Sequence, residues 1–180
     1  MLSSNGCRKT AVLCGKITVY LVYKRKDSDM TDYDLMCRQL KSLSEGVTWD
    51  ITVLSNAAAL IWDTLGDINW AGFYLMKDGK LVLGPFQGKP ACTVIDVGKG
   101  VCGTAVAEDK TQLVRNVHEF PGHIACDSAS NSEIVVPVHS GDFVYGVLDI
   151  DSPQLSRFSE NDRDGLEAFV RILESTAAIR

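Results

Sequence analysis

No part of this sequence approaches the roughly 18 consecutive apolar residues that a bilayer-spanning helix requires, so nothing in it reads as a membrane span. Positive charge is in deficit. The 18 Lys and Arg stand against 23 Asp and Glu, a formal net charge of -5, which removes any global attraction to nucleic acid or to an anionic membrane surface. No Asn-X-Ser/Thr acceptor occurs, so one mark of secretion is missing. Cysteine is sparse for a disulfide scaffold: 6 in 180 residues, at positions 7, 14, 37, 92, 102 and 126, with no CxxC pair. Six thiols still need a purpose.

What is present suits a globular chain. A hydrophobic fraction of 46% with 23% charged residues excludes a disordered or fibrous protein, and 180 residues fit one domain, or one domain plus a tail. Composition therefore predicts a soluble, acidic, cytoplasmic protein. The first residues form a separate problem. Arg8 and Lys9 precede two apolar runs, 11–14 and 17–23, as in a targeting segment, but Lys16 interrupts them and Lys24-Arg25-Lys26 follows where small cleavage-site residues belong. Met30 offers a second start. Residues 1–29 are accordingly set aside as an extension outside the fold, and residues 30–180 as the domain.

Within that domain, Thr31 or Asp32 can cap a first helix carrying Met36, Leu40 and Leu43 on one face. A second helix from near Thr48 places Ile51, Leu54, Ala58, Ile61 and Leu65 on one stripe. Apolar runs 70–76 and 81–83 flank Asp78-Gly79, a strong hairpin signal. Further strands are expected over 93–97 and 112–114, and a second hairpin over 134–138 and 143–150. Ser159 with Asp162 opens a closing helix. Helices at both ends with hairpins between them predict an α+β single domain. Its central sheet is mostly antiparallel, with the N- and C-terminal helices packed on it.

Several clusters invite chemistry. Residues 115–132 form a long connection without periodicity, holding His118, His123, Cys126 and Asp127, the profile of a lid or binding loop. His118, His123 and Cys126 match no known metal-ligand spacing, and no metal is expected. Gly98 to Gly103 fits GxGxxG, yet its antiparallel surroundings favour a tight strand-to-helix turn over a dinucleotide site. On the strand ending at Asp151, residues two apart share a face, so Asp149 and Asp151 project together while Leu148 and Ile150 face away. Two like carboxylates repel, which raises the pKa of one of them. Glu133 joins them if the hairpin pairs in register. Trp70 and Tyr74 share strand parity and can line one pocket wall.

The residue strings themselves carry a resemblance. Asn69-Trp70-Ala71-Gly72-Phe73-Tyr74, Gly84-Pro85-Phe86-Gln87-Gly88, Gly100-Val101-Cys102-Gly103-Thr104-Ala105, Gly122-His123-Ile124-Ala125-Cys126-Asp127, Ser132-Glu133-Ile134-Val135 and Gly146-Val147-Leu148-Asp149-Ile150-Asp151 resemble the free methionine-(R)-sulfoxide reductases, single GAF-domain enzymes. The similarity runs from about Met30 to Leu173. It implies a GAF-like catalytic domain over 30–180. It also implies a redox set of Cys92, Cys102 and Cys126, spaced ten and then twenty-four positions apart.

By that match Cys126 is the nucleophile, Cys92 resolves, and Cys102 substitutes for Cys92 or forms an alternative disulfide. Which thiol acts first stays open. Glu133, Asp149 and Asp151 would grip the substrate and supply the acid, Trp70 would pack against the S-methyl group, and Tyr74 would lie nearby. The partners implied are free methionine sulfoxide and thioredoxin as external reductant, with no metal or organic cofactor, and a homodimer is admitted. Two rivals remain: a GAF module that senses a small ligand without chemistry, and a redox sensor whose disulfide regulates a partner.

Overall fold

The computed structural model describes residues 31–122 and 128–179, together with the backbone of 9–14 and 17–22. Strands β1 (Lys9–Cys14) and β2 (Ile17–Val22) pair antiparallel with each other in a two-stranded sheet of their own. The sequence places this stretch outside the fold and predicts no strands in it, yet its two apolar runs are long enough to pair with each other.

The main sheet has six strands. These are β3 (Trp70–Lys77), β4 (Lys80–Gly88), β5 (Val94–Asp96), β6 (Gln112–Val114), β7 (Ser132–Ser140) and β8 (Phe143–Ser152), in the order β5-β4-β3-β8-β7-β6. Every neighbouring pair is antiparallel. The β3–β4 hairpin turns at Asp78 and Gly79, both at positive φ, as the Asp-Gly pair requires.

Period-two alternation divides the sheet's residues between two cores. Ala71, Phe73, Ile134, Val136, Leu148 and Ile150 point to one side, where α1 (Tyr33–Ser44), α2 (Asp50–Thr64) and α4 (Glu160–Glu174) contribute Met36, Leu40, Leu54, Ile61, Leu166 and Phe169. Trp70, Tyr74, Val135 and Val147 point to the other, where α3 (Gly100–Glu108) adds Val101, Cys102 and Ala105. The first face supplies most of the buried apolar area. At roughly 1.5–3 kcal/mol for each large side chain withdrawn from water, it is the larger source of stability.

The helix ends follow their sequence signals closely. Asp32 caps α1 by accepting from the Leu35 N–H at 2.9 Å, which selects it over Thr31. Ser159 and Asp162 form the expected reciprocal capping box at α4, and Asp162 also accepts from the Tyr33 hydroxyl at 2.7 Å, tying α4 to α1. The second helix begins at Asp50 rather than Thr48, with Asp50 accepting from the Ile51 N–H and from the Tyr145 hydroxyl. That start leaves Ile51 38% exposed, at the edge of the stripe the periodicity assigned it to. The glycine run resolves into the expected turn, with Gly98 and Gly100 at positive φ leading β5 into α3. Gly103 then lets the helix close on the strand, since a Cβ there would lie 2.4 Å from the Asp96 carbonyl oxygen.

Candidate active site

The pairing of β7 with β8 brings the acidic side chains together. Glu133 lies opposite Asp151, and Val135 opposite Asp149, so Glu133, Asp149 and Asp151 occupy neighbouring positions on the α3 face. Glu133 and Asp149 are each 6% exposed. The first turn of α3 lowers Cys102 onto them, its Sγ 4.0 Å from Glu133 Oε1. One donor atom each from Cys102, Glu133 and Asp149 falls within 4.8 Å of the others. A thiol and two carboxylates are also the groups a cation would find here.

Water is displaced from this cluster, and the charged forms lose their solvation. Burial, followed by the charges of Asp149 and Asp151, drives the Glu133 carboxyl well above the ordinary range. Burial likewise pushes Asp149 up to about 7, against the opposing hydrogen bonds from Cys102 and Glu133. Cys102 is raised well above a free thiol, by burial first and by both carboxylates next. At neutral pH the pair therefore retains a proton, and Cys102 stays a thiol, the form with little nucleophilicity. Among the described residues, Asp149 Oδ1 is buried without a hydrogen-bond partner. A buried acceptor left this way is costly, and a donor arriving with a ligand would satisfy it.

An aromatic wall stands beside the cluster. Trp70 stacks on Tyr74 at 5.8 Å between ring centroids and on Phe86 at 5.3 Å. Gly72 makes this layer possible, because a Cβ there would lie 2.3 Å from Phe86 Cβ and 2.7 Å from the Trp70 ring. Trp70 and Tyr74 both reach back to the 89–93 connection: Trp70 Nε1 donates to the Lys89 carbonyl at 3.1 Å, and the Tyr74 hydroxyl to the Cys92 carbonyl at 3.0 Å. Cys92 is disulfide-bonded, whereas Cys37 and Cys102 are free thiols.

A GAF-domain family model matches residues 51–175. The free methionine-R-sulfoxide reductase of Escherichia coli is 53% identical over 141 residues, 78% of this chain and 86% of that protein. The chain belongs to that reductase family. Its fold also matches fRMsr of Staphylococcus aureus in the reduced form, with a TM-score of 0.81 and 54% identity over 83% of this chain and 97% of that one. The same S. aureus protein in complex with substrate gives a TM-score of 0.80 at 53% identity, over 83% of this chain and 98% of that one.

Within this GAF-domain reductase, the structure brings Trp70, Tyr74, Cys102, Glu133 and Asp149 to one face of the sheet in a single buried neighbourhood. Asp151 follows at its half-buried edge. Cys126 and His123 lie outside the described residues. The flanks of that stretch are fastened beside the end of β8. Asn131 donates from its backbone to the Ser152 carbonyl at 2.7 Å and from its side chain to the Pro153 carbonyl at 2.8 Å, while its own carbonyl accepts from Val117 N–H. His118, considered above with His123 and Cys126, instead pairs its ring with Asn131 Oδ1 at 2.9 Å. Cys37 packs against the helix-side core, on the far face of the sheet. Phe86 is a wall residue that residue-by-residue reasoning passed over. Its signal was its place in the Gly84-Pro85-Phe86-Gln87-Gly88 string, where a Cβ at Gly88 would lie 2.8 Å from the Trp70 ring.

Proposed function

We propose that the protein reduces free L-methionine-(R)-sulfoxide to methionine with electrons from its own thiols. The observation that carries this reading is the buried, proton-retaining Glu133–Asp149 pair beside the Trp70–Tyr74 wall. A sulfoxide oxygen leaves sulfur only when protonated, so the reaction needs an acid that still holds its proton near neutral pH. Glu133 and Asp149 supply that proton, and Asp151 at the rim takes the substrate ammonium. Trp70, with Tyr74 beside it, packs on the S-methyl end.

The thiolate of Cys126 attacks the sulfoxide sulfur. Methionine departs, and the oxygen remains on Cys126 as a sulfenic acid. Cys92 condenses with it to a disulfide, releasing water, and an external dithiol protein of the thioredoxin kind reduces the bond. Support for this pairing comes from Cys92 being disulfide-bonded while Cys102 is not. Cys102 is held as a thiol and stands in reserve. No metal or bound organic cofactor enters the scheme, and the thiols require a reducing compartment such as the cytoplasm.

The test is NADPH consumption coupled through thioredoxin and its reductase, with separated R and S epimers. Turnover with R alone is expected. Absence of R-dependent turnover in the reduced protein would leave a ligand-sensing module, and disulfide formation with peroxide alone would leave a redox sensor. Cys126→Ser is expected to abolish the single-turnover release of methionine. A full equivalent released by that variant would move the nucleophile to Cys102.

A further inference from the structure

A resolving thiol must reach the sulfenic acid before water-borne oxidants or stray thiols do, so its position matters as much as its reactivity. Cys92 sits in residues 89–93, between the end of β4 at Gly88 and the start of β5 at Val94, where no strand ladder encloses it. The Leu83 N–H holds its far end at the Thr93 carbonyl, at 3.0 Å, and two side chains from a third element hold the rest. Trp70 Nε1 donates to the Lys89 carbonyl at 3.1 Å and the Tyr74 hydroxyl to the Cys92 carbonyl at 3.0 Å. Both donors come from β3 and are all but buried, at 3% and 1% exposure, and their rings are stacked. A donor fixed by a central strand and an aromatic stack has little freedom, so its acceptor is fixed with it.

We propose that Tyr74 is a positioning residue for the resolving step, its hydroxyl anchoring the backbone of Cys92 so that the Cys92 sulfur meets the sulfenic acid on the nucleophile. The inference rests on the sulfoxide-reductase reading of this site. In the step concerned, the Cys92 thiol loses its proton and forms a sulfur–sulfur bond with the sulfenic sulfur. The sulfur–oxygen bond breaks, hydroxide leaves with that proton as water, and Cys92 is oxidised as the sulfenic sulfur is reduced. Trp70 holds the other end of the connection in the same way. The same wall that faces the substrate therefore also sets the distance for disulfide closure. Burial and the neighbouring Asp149, Cys102, Asp151 and Glu133 keep the Tyr74 phenol protonated, so it remains a donor throughout the cycle.

The experiment is a single turnover of the full chain, reduced and freed of reductant, with one equivalent of methionine-(R)-sulfoxide and with dimedone present to trap sulfenic acid. Methionine release and the dimedone adduct are followed by quench and mass spectrometry. Tyr74→Phe keeps the ring and its stacking and removes only the hydroxyl. Loss of one such hydrogen bond is expected to slow closure by about two- to tenfold. The dimedone-trapped fraction should rise accordingly, and methionine release should fall by a smaller factor than closure. In a Cys92→Ser background, Tyr74→Phe should not prolong the adduct further, because the two changes act on one step.

Closure as fast in Tyr74→Phe as in the wild type overturns the proposal. So does an equal fall in release and closure, which would assign the hydroxyl to the substrate. Trp70→Phe, which loses the bond to Lys89, makes the same comparison if Tyr74→Phe fails to fold. A wild-type protein that releases no methionine from the R epimer overturns the functional reading itself, before either variant is compared.

Discussion

Glu133 shows how one residue is tuned against its own stability. A carboxyl whose pKa is raised by folding favours the protonated folded state. Its contribution therefore becomes increasingly unfavourable as pH rises from the ordinary carboxylate range toward the raised value. Glu133→Gln mimics the protonated form without being able to give a proton away. We expect the variant to lose turnover by roughly a hundredfold or more, in line with removal of a positioned acid. Its melting temperature relative to wild type should be more favourable at pH 8 than at pH 5. Parallel assays and thermal scans check both, and equal thermal offsets at the two pH values would mean that Glu133 is ionised in the folded protein. Turnover by the wild type should also decline as pH rises past about 7, where Asp149 gives up its proton.

Between elements, the clearest device lies away from the site, where β7 meets the ends of α3 and α4. His139 follows a break in the β7–β8 register, donates its backbone N–H to Glu174 at 2.8 Å, and sets its ring between Glu174 at 3.0 Å and Asp109 at 2.7 Å. Partial burial disfavours the cation, but hydrogen bonds and charge from Asp109 and Glu174 outweigh it and leave the imidazole above its ordinary 6.5. A raised pKa in the folded state means that the stabilisation is complete below 6.5 and fades as pH rises through the folded value. His139→Asn should therefore lower the melting temperature at pH 6 in low salt, with the difference shrinking by pH 8.5. A pH-independent difference would show that the ring acts through packing alone. The site is half open to solvent, so the effect should weaken with added salt.

At the scale of the molecule, the six-stranded sheet separates two tasks. One face meets α1, α2 and α4 in an apolar core, and the other meets α3 and carries the buried cluster of Cys102, Glu133 and Asp149. The β1–β2 hairpin pairs with neither edge of that sheet. A protein starting at Met30 is expected to keep the melting temperature and R-epimer turnover of the full chain. A cooperative loss of either would place the hairpin within the working fold, and circular dichroism with the coupled assay reads both.

The sequence by itself determined what depends on near neighbours. Strand alternation assigned Leu148 and Ile150 to one core and Asp149 to the other face. The Asp-Gly pair set the first hairpin, and Ser159 with Asp162 set the start of α4, because turns, caps and pleats are decided within a few residues. Family-like strings marked out the cysteines and carboxylates. Only the tertiary structure decided that Cys102 rests against Glu133, thirty-one positions away, and that Tyr74 reaches the carbonyl of Cys92, eighteen away. It alone decided that Glu133 and Asp149 keep a proton. That property belongs to neither side chain by itself but to the removal of water around both, and desolvation exists only once distant segments have closed over them.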